Sequence, residues 1–209
     1  MKNLIVFGAT GGTGRELVRQ ALEHNYNVTA FARHPERLDL KSDKLSIYQG
    51  DVLNKDDVEK AVTNQDVVLC CIGAPGRDKS FTRTKGTANI IEAMQNQNVA
   101  RLICMSSLGF GDSEDVLPWH MKYIIVPLFI KNAFKDHAEQ EKVIEKSNLA
   151  WTIARPATLT DENRTGNYKV GFGLKEKITL KISRADVADF MLNQISDDQY
   201  LHKKVGLSY

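Results

Sequence analysis

The run Val6-Phe7-Gly8-Ala9-Thr10-Gly11-Gly12-Thr13-Gly14-Arg15 constrains this chain more than any other stretch, because it passes from a short apolar strand straight into a helix start. Among its four glycines, those at 8, 11 and 14 carry the spacing of a dinucleotide-binding turn. Gly8 permits a tight exit from the strand, Gly11 lets the backbone approach a diphosphate, and Gly14 lets the helix pack closely on the sheet. N–H groups at the start of that helix then face an anion. A turn that merely begins a helix is the plain alternative, and the strand before it and the helix after it favour binding. A dinucleotide is the expected ligand.

The rest of the chain repeats the strand-and-helix alternation. Apolar runs at Leu4–Phe7, Val28–Ala32, Leu45–Tyr48, Val67–Ile72, Leu102–Met105 and Trp151–Ala154 are apolar on consecutive positions, as in strands buried on both faces. Helical patterns lie between them at Gly14–His24, Asp56–Val62, Thr84–Gln97 and Asp136–Ser147, with Asn54 and Thr82 or Thr84 as N-caps. Ser183-Arg184-Ala185-Asp186 opens a further helix through about Ile195, and Lys203–Leu207 reads as a last short edge strand. This order predicts an α/β fold, a doubly wound parallel sheet of the Rossmann NAD(P)-binding type. With 209 residues it is expected to form one domain, 1–209, whose substrate side is built from about 107–135 and 156–182.

The second strand decides which dinucleotide. An NAD site places an acid at its end to accept from the ribose 2′-OH, whereas this strand ends Phe31-Ala32-Arg33. Arg33, with Arg37 one turn on, offers guanidinium groups suited to a 2′-phosphate, so NADP(H) is the expected cofactor. Surface arginines on a solvated loop are the alternative. After the third strand comes Gly50-Asp51-Val52, where the carboxylate either accepts from the adenine amino group or closes a plain turn. The fourth strand ends in Ile72-Gly73, where a glycine lets a ligand pass close to the backbone. The fifth ends in Ser106-Ser107, at the carboxyl edge where open α/β sheets present their ligands.

With these residues, the chain resembles the atypical short-chain dehydrogenase/reductase families. The likeness rests on the turn Gly8–Gly14, Gly50-Asp51-Val52, Ser106-Ser107 and Trp151-Thr152-Ile153-Ala154-Arg155-Pro156. Within them it is most similar to the biliverdin reductase B, or flavin reductase, family and to related bacterial NAD(P)H-binding and NmrA-like proteins. The resemblance implies that Gly8, Thr10, Gly11, Gly12, Thr13 and Gly14 form the diphosphate turn and that Arg33 and Arg37 hold the 2′-phosphate. It places Asp51 and Val52 at the adenine and Ile72 and Gly73 at the middle of the cofactor. It further implies Ser106 on the cofactor side, Ser107 beside the nicotinamide and His137 facing the substrate, the last two as catalytic residues. The activity it implies is hydride transfer from NADPH to a flavin, quinone or bilin-like acceptor. A non-catalytic NADP(H)-binding regulator, as among NmrA-like relatives, is the alternative.

Two departures bear on chemistry. Typical short-chain dehydrogenases carry a Tyr-x-x-x-Lys pair as proton donor. Here the only such spacing, Tyr200 with Lys204, lies at the chain end, and Arg155-Pro156-Ala157 stands where the bilin-reducing pattern has a His after the proline. A flavin or quinone asks less of the protein, because hydride transfer to a conjugated ring needs mainly alignment and solvent can supply the proton. His137 and Glu141, four apart on one helix face, either line the substrate pocket or belong to a solvated face. Trp119, Met121, Tyr123 and Phe129, punctuated by Pro118 and Pro127, form either an aromatic lid or a core-packing loop.

Other partners are not expected. A formal net charge of +2, with both signs interspersed, recruits neither nucleic acid nor an anionic membrane. Cys70, Cys71 and Cys104 fit neither a disulfide framework nor a metal site, and no His, Cys or carboxylate cluster has ligand spacing. The Met1-Lys-Asn start is too short for a signal segment, and Tyr123–Ile130 is too short to span a membrane. A cytoplasmic monomer or homodimer acting on a small molecule is the expectation.

Overall fold

Leu4 and Val6 of the first strand, β1 (Asn3–Phe7), enter the core on one face of a sheet, while Ile5 and Phe7 enter it on the other. This double burial recurs in β4 (Val67–Cys70) and β5 (Arg101–Met105), where Leu69 and Ile103 face one way and Val68, Cys70, Leu102 and Cys104 the other. The computed structural model describes residues 2–75, 78–171 and 176–209. Positions 172–175, within the expected substrate-side segment 156–182, lie outside the described residues.

The remaining strands are β2 (Asn27–Ala32), β3 (Leu45–Gln49), β6 (Ala150–Pro156), β7 (Thr158–Thr160), β8 (Lys169–Val170), β9 (Lys181–Ser183) and β10 (Lys203–Ser208). Eight of the ten form one sheet in the order β3-β2-β1-β4-β5-β6-β10-β8. Its neighbours pair in parallel except at β8, which runs antiparallel to β10. β7 and β9 make a separate parallel pair. The doubly wound sheet read from the sequence is the fold.

One face is covered by α1 (Gly12–Glu23) and α5 (Arg184–Asn193), whose Leu17, Val18, Val187 and Phe190 meet the strands. The other carries α2 (Lys55–Val62), α3 (Thr82–Asn96) and α4 (Lys131–Glu145), with Val58, Ile90, Met94 and Ile144 inward. Asn54 caps α2 as expected, its side chain accepting from the N–H groups of Asp56 and Asp57.

Three expectations are corrected. The strand Lys203–Leu207 is not an edge: β10 lies between β6 and β8, because a two-residue strand returns to cover it. β3 is an edge and not buried on both faces, leaving Ile47 51% exposed. Neither Thr82 nor Thr84 caps α3. Phe81 occupies the cap position in a left-handed conformation, φ 58°, and the capping acceptor comes from α4: the Asp136 carboxylate takes the N–H groups of Arg83 at 3.1 Å and Thr84 at 3.0 Å.

Candidate functional site

The strand order reverses between β1 and β4, and the crevice beyond their carboxyl ends is where an open α/β sheet receives ligands. Gly8 leaves β1 with φ +82°, and a Cβ there would lie 2.3 Å from the carbonyl oxygen of Cys71. A side chain is therefore excluded twice, by conformation and by the approach of the segment after β4. A Cβ on Gly14 would lie 2.1 Å from the Gly8 oxygen, so α1 starts against its own turn. Gly11 is different: its Cβ would meet only the Gly8 oxygen, at 3.3 Å.

No side chain caps the first turn of α1, and Thr13 Oγ1 is buried with no hydrogen-bonding partner among the described residues. A buried hydroxyl without a partner costs free energy comparable to a lost hydrogen bond. A diphosphate oxygen at the uncapped helix start would answer both features, so the residues fit a dinucleotide.

A cleft of about 350 Å³ opens from this turn across the carboxyl edge of the sheet. It is walled by Gly8, Thr10, Gly11, Gly12, Thr13 and Gly14 at the turn, Arg33 and Arg37 after β2, Asp51 and Val52 after β3, and Ile72 and Gly73 after β4. Among the described residues neither Arg33 nor Arg37 pairs with a carboxylate; nearby Glu36 pairs with His34 at 3.3 Å. The Arg37 carbonyl is held by Arg15 Nη2 at 2.9 Å, which ties this short 3₁₀ turn to α1. Asp51 Oδ1 accepts from Leu53 N at 2.9 Å, so one carboxylate oxygen closes a turn.

His34, Thr82, Met105, Leu159 and Arg184 also line the cleft and were not read from the sequence as site residues. Met105 was legible as the last residue of the fifth strand. Arg184 was not, because only the packing of α5 on α1 brings it there.

Ser106, Ser107 and His137 stand outside the cleft walls. Ser107 Oγ donates to the Leu108 carbonyl at 3.2 Å, whereas the buried Ser106 Oγ lies 3.5 Å from His137 Nδ1. The same nitrogen is 3.1 Å from Gln140 Oε1, and Gln140 Nε2 donates to Thr87 Oγ1 at 2.9 Å and reaches Cys104 Sγ at 3.4 Å. With its amide so oriented, Gln140 offers an acceptor to His137, which assigns the ring proton to Nδ1. Burial first, and the Arg83 guanidinium second, pull the His137 pKa down to about 4. The solvated-face alternative for His137 and Glu141 is overturned, since both are buried. Glu141 lines neither this cleft nor the cavity described below; its carboxylate is gripped by Arg155 Nε at 2.8 Å and by Nη2 of the same residue. Lys204 pairs with Glu145 at 2.7 Å and Tyr200 packs on Phe190, so the Tyr200–Lys204 spacing makes no proton-donor site at the cleft.

After β5 the chain makes a π-helical segment, Met121–Ile130, that contains Pro127. Trp119 and Tyr123 are each 69% exposed, and Phe129 is 50% exposed, which overturns the core-packing alternative. Beneath this segment a second cavity of about 310 Å³ is lined by Phe110, Leu117, Val126 and Phe134, with Lys131 and Lys135 among its polar walls. Phe110 also stacks on His137, with ring centroids 6.3 Å apart. Among the described residues no helix is long and apolar enough to cross a membrane, and no group of three or more metal-ligating side chains is assembled.

Residues 8–198 match the model of a family described as NAD(P)H-binding. A chloroplastic protein of Arabidopsis thaliana is 32% identical over 176 residues, 79% of this chain and 62% of that protein, so the chain spans less than two thirds of this relative's length. A Rossmann-fold NAD(P)-binding family protein from Shigella flexneri superimposes with TM-score 0.77 at 27% identity, over 99% of this chain and 93% of that one. Two further solved structures are alike in fold. A short-chain dehydrogenase/reductase from Veillonella parvula in complex with NADP has TM-score 0.84 at 20% identity, over 100% of this chain and 94% of that one. ChuY, an anaerobilin reductase from Escherichia coli O157:H7, has TM-score 0.80 at 20% identity, over 98% and 96%.

Proposed function

The chain belongs to the NAD(P)H-binding family, and we propose that it is an NADPH-dependent reductase that passes hydride to a flavin, quinone or similar conjugated small molecule. The observation that carries this reading is the pair Arg33 and Arg37, without carboxylate partners among the described residues, lining the same cleft as the strand-to-helix turn. In this reading the Gly8–Gly14 turn and the Thr13 hydroxyl bind the diphosphate, and Arg33 and Arg37 bind the 2′-phosphate. Asp51 and Val52 border the adenine, and Ile72 and Gly73 the middle of the cofactor. When bound, NADPH supplies the hydride. Ser107 orients the nicotinamide or the acceptor, Ser106 supports the cofactor side from behind it, and the segments 107–135 and 156–182 of a single domain, 1–209, enclose the acceptor. Phe110 joins the second cavity to His137, which backs it as a neutral ring. Solvent supplies the proton that accompanies the hydride. A cytoplasmic monomer or homodimer without nucleic-acid or membrane partners suits this activity.

A specific observation supports a second reading, a cofactor-binding regulator without turnover: Ser107 spends its proton on Leu108, and the cleft holds no Tyr-x-x-x-Lys pair. Steady-state NADPH oxidation against FMN, riboflavin, a quinone, a bilin and an aldehyde separates the two. Saturable oxidation with a conjugated acceptor is the expected result. Tight NADPH binding with no acceptor reduced would overturn the reductase and leave the regulator.

A further inference from the structure

Arg184 is the first residue of α5, and its side chain lies across the start of α1. A Cβ added to Gly12 would fall 2.5 Å from Arg184 Cδ and 2.6 Å from Nε, so the bare Gly12 backbone is what makes room for the arginine. The side chain forms part of the cleft wall beside the diphosphate turn.

The electrostatics of this placement run against the protein on its own. Helix starts carry partial positive charge and favour acids, yet here a guanidinium sits at the start of α5 and over the start of α1. α5 does not need it, since Ser183 Oγ already accepts from Asp186 N at 2.9 Å. Its counter-ion is Asp161, which accepts from Arg184 Nη1 at 2.6 Å but is 89% exposed and so heavily screened. An anion lying between the two helix starts reverses the sign of every one of these interactions. The Thr13 hydroxyl, 97% buried and without a partner among the described residues, belongs to the same wall and points independently to a missing acceptor.

We infer that Arg184 is a ligand of the cofactor diphosphate, reaching it from α5 while Asp161 occupies only one edge of the guanidinium. Five N–H donors leave Arg184 able to bond Asp161 and a diphosphate oxygen together. This rests on the NADPH-binding reading, and it separates two arginine roles. Arg33 and Arg37 read the 2′-phosphate, which NADPH has and NADH lacks, whereas Arg184 grips the part common to both.

Calorimetric Kd values for NADPH, NADH and 2′-AMP test it on the unsubstituted protein, Arg184→Ala, Arg184→Lys and Gly12→Ala. Arg184→Ala should weaken NADPH and NADH alike, by about tenfold or more as for loss of a charge-assisted bond, and leave 2′-AMP unchanged. Arg184→Lys should fall between, since it keeps the charge and loses the fork. Gly12→Ala, which displaces the arginine without removing its charge, should weaken both dinucleotides and add little when combined with Arg184→Ala. Unchanged NADPH affinity in Arg184→Ala overturns this inference alone, as does an equal loss of 2′-AMP, which would mark a general disturbance of the fold. No dinucleotide binding by the unsubstituted protein overturns the cofactor reading and this inference with it.

Discussion

His137 Nδ1 on α4 faces Ser106 Oγ at the end of β5, at 3.5 Å, and not Ser107, whose hydroxyl is turned to the Leu108 carbonyl. The ring is therefore part of a buried polar chain through Gln140 and Thr87, with a pKa held down at about 4 by burial and by Arg83. In the unfolded chain it returns to about 6.5. Between these values the unfolded state binds the extra proton, so the folded state loses stability as pH falls from about 6.5 toward 4. The full effect is on the order of 3 kcal/mol. Denaturant midpoints of the protein and of His137→Gln, measured from pH 7.5 down to 4.5, should show the variant with the shallower acid slope. Parallel curves would mean that His137 titrates normally.

Arg33 should set cofactor preference. Losing a charge-assisted bidentate contact to the 2′-phosphate costs about 1.5–3 kcal/mol, which Arg33→Ala should show as weaker NADPH binding with little change for NADH. Titration calorimetry with both cofactors decides it. Equal affinity of the unsubstituted protein for the two would remove the 2′-phosphate assignment from this end of the cleft.

Two glycines of one turn should fail in different ways. Gly8→Ala must bear φ +82° and a contact of 2.3 Å with the Cys71 oxygen, so the folded state itself should suffer. At Gly11 a Cβ meets only the Gly8 oxygen, at 3.3 Å, and Gly11→Val should keep the fold while blocking the diphosphate. Thermal melts with and without NADPH distinguish them: a lower melting point for Gly8→Ala, and a near-unchanged one without the NADPH-induced rise for Gly11→Val. A full NADPH-induced rise in Gly11→Val places the diphosphate elsewhere.

Asp136 ties α4 to the start of α3, accepting from two backbone N–H groups and pairing with the buried Arg83 at 3.4 Å. Asp136→Ala leaves that guanidinium buried without its carboxylate, a change that costs about 3–5 kcal/mol in comparable settings. Asp136→Asn, which keeps an acceptor, should cost less. Urea unfolding of both variants measures this, and a loss below about 1 kcal/mol for the alanine variant would show that water replaces the carboxylate there.

This cap also shows where reading the sequence stops. The turn at Gly8–Gly14, Arg33 after β2 and Asn54 before α2 are legible because each acts through neighbours a few residues away, with spacing that follows from backbone geometry. Thr82 and Thr84 looked like caps by the same logic, but the acceptor arrives from Asp136, 52 residues beyond Thr84, and no local pattern announces it. The same holds for Arg184, which reaches the cleft only because α5 packs on α1. His137 and Glu141 share a helix face as their spacing requires. Which partners that face meets, Ser106 and Gln140 for one and Arg155 for the other, depends on how the helix docks.

Ser107 and Ser106 give the sharpest test of the proposed chemistry, because the structure assigns their hydroxyls to different surroundings. Ser107 is half-buried at the carboxyl edge of the sheet, and its one proton goes to its neighbour's carbonyl, so any role toward a nicotinamide or acceptor is as a hydrogen-bond acceptor or by reorientation. An orienting role predicts that Ser107→Ala slows turnover of a flavin within roughly tenfold, about 1.4 kcal/mol of transition-state stabilisation. A proton donor would cost about 100- to 10,000-fold. Ser106 is buried against His137, so Ser106→Ala should disturb the polar chain and lower the melting temperature. Turnover and melting temperature measured on the same samples separate these outcomes: a moderate kinetic loss in Ser107→Ala at unchanged stability supports orientation. Unchanged turnover with a lowered melting temperature would reduce Ser107 to a residue that terminates its strand through the local bond to Leu108.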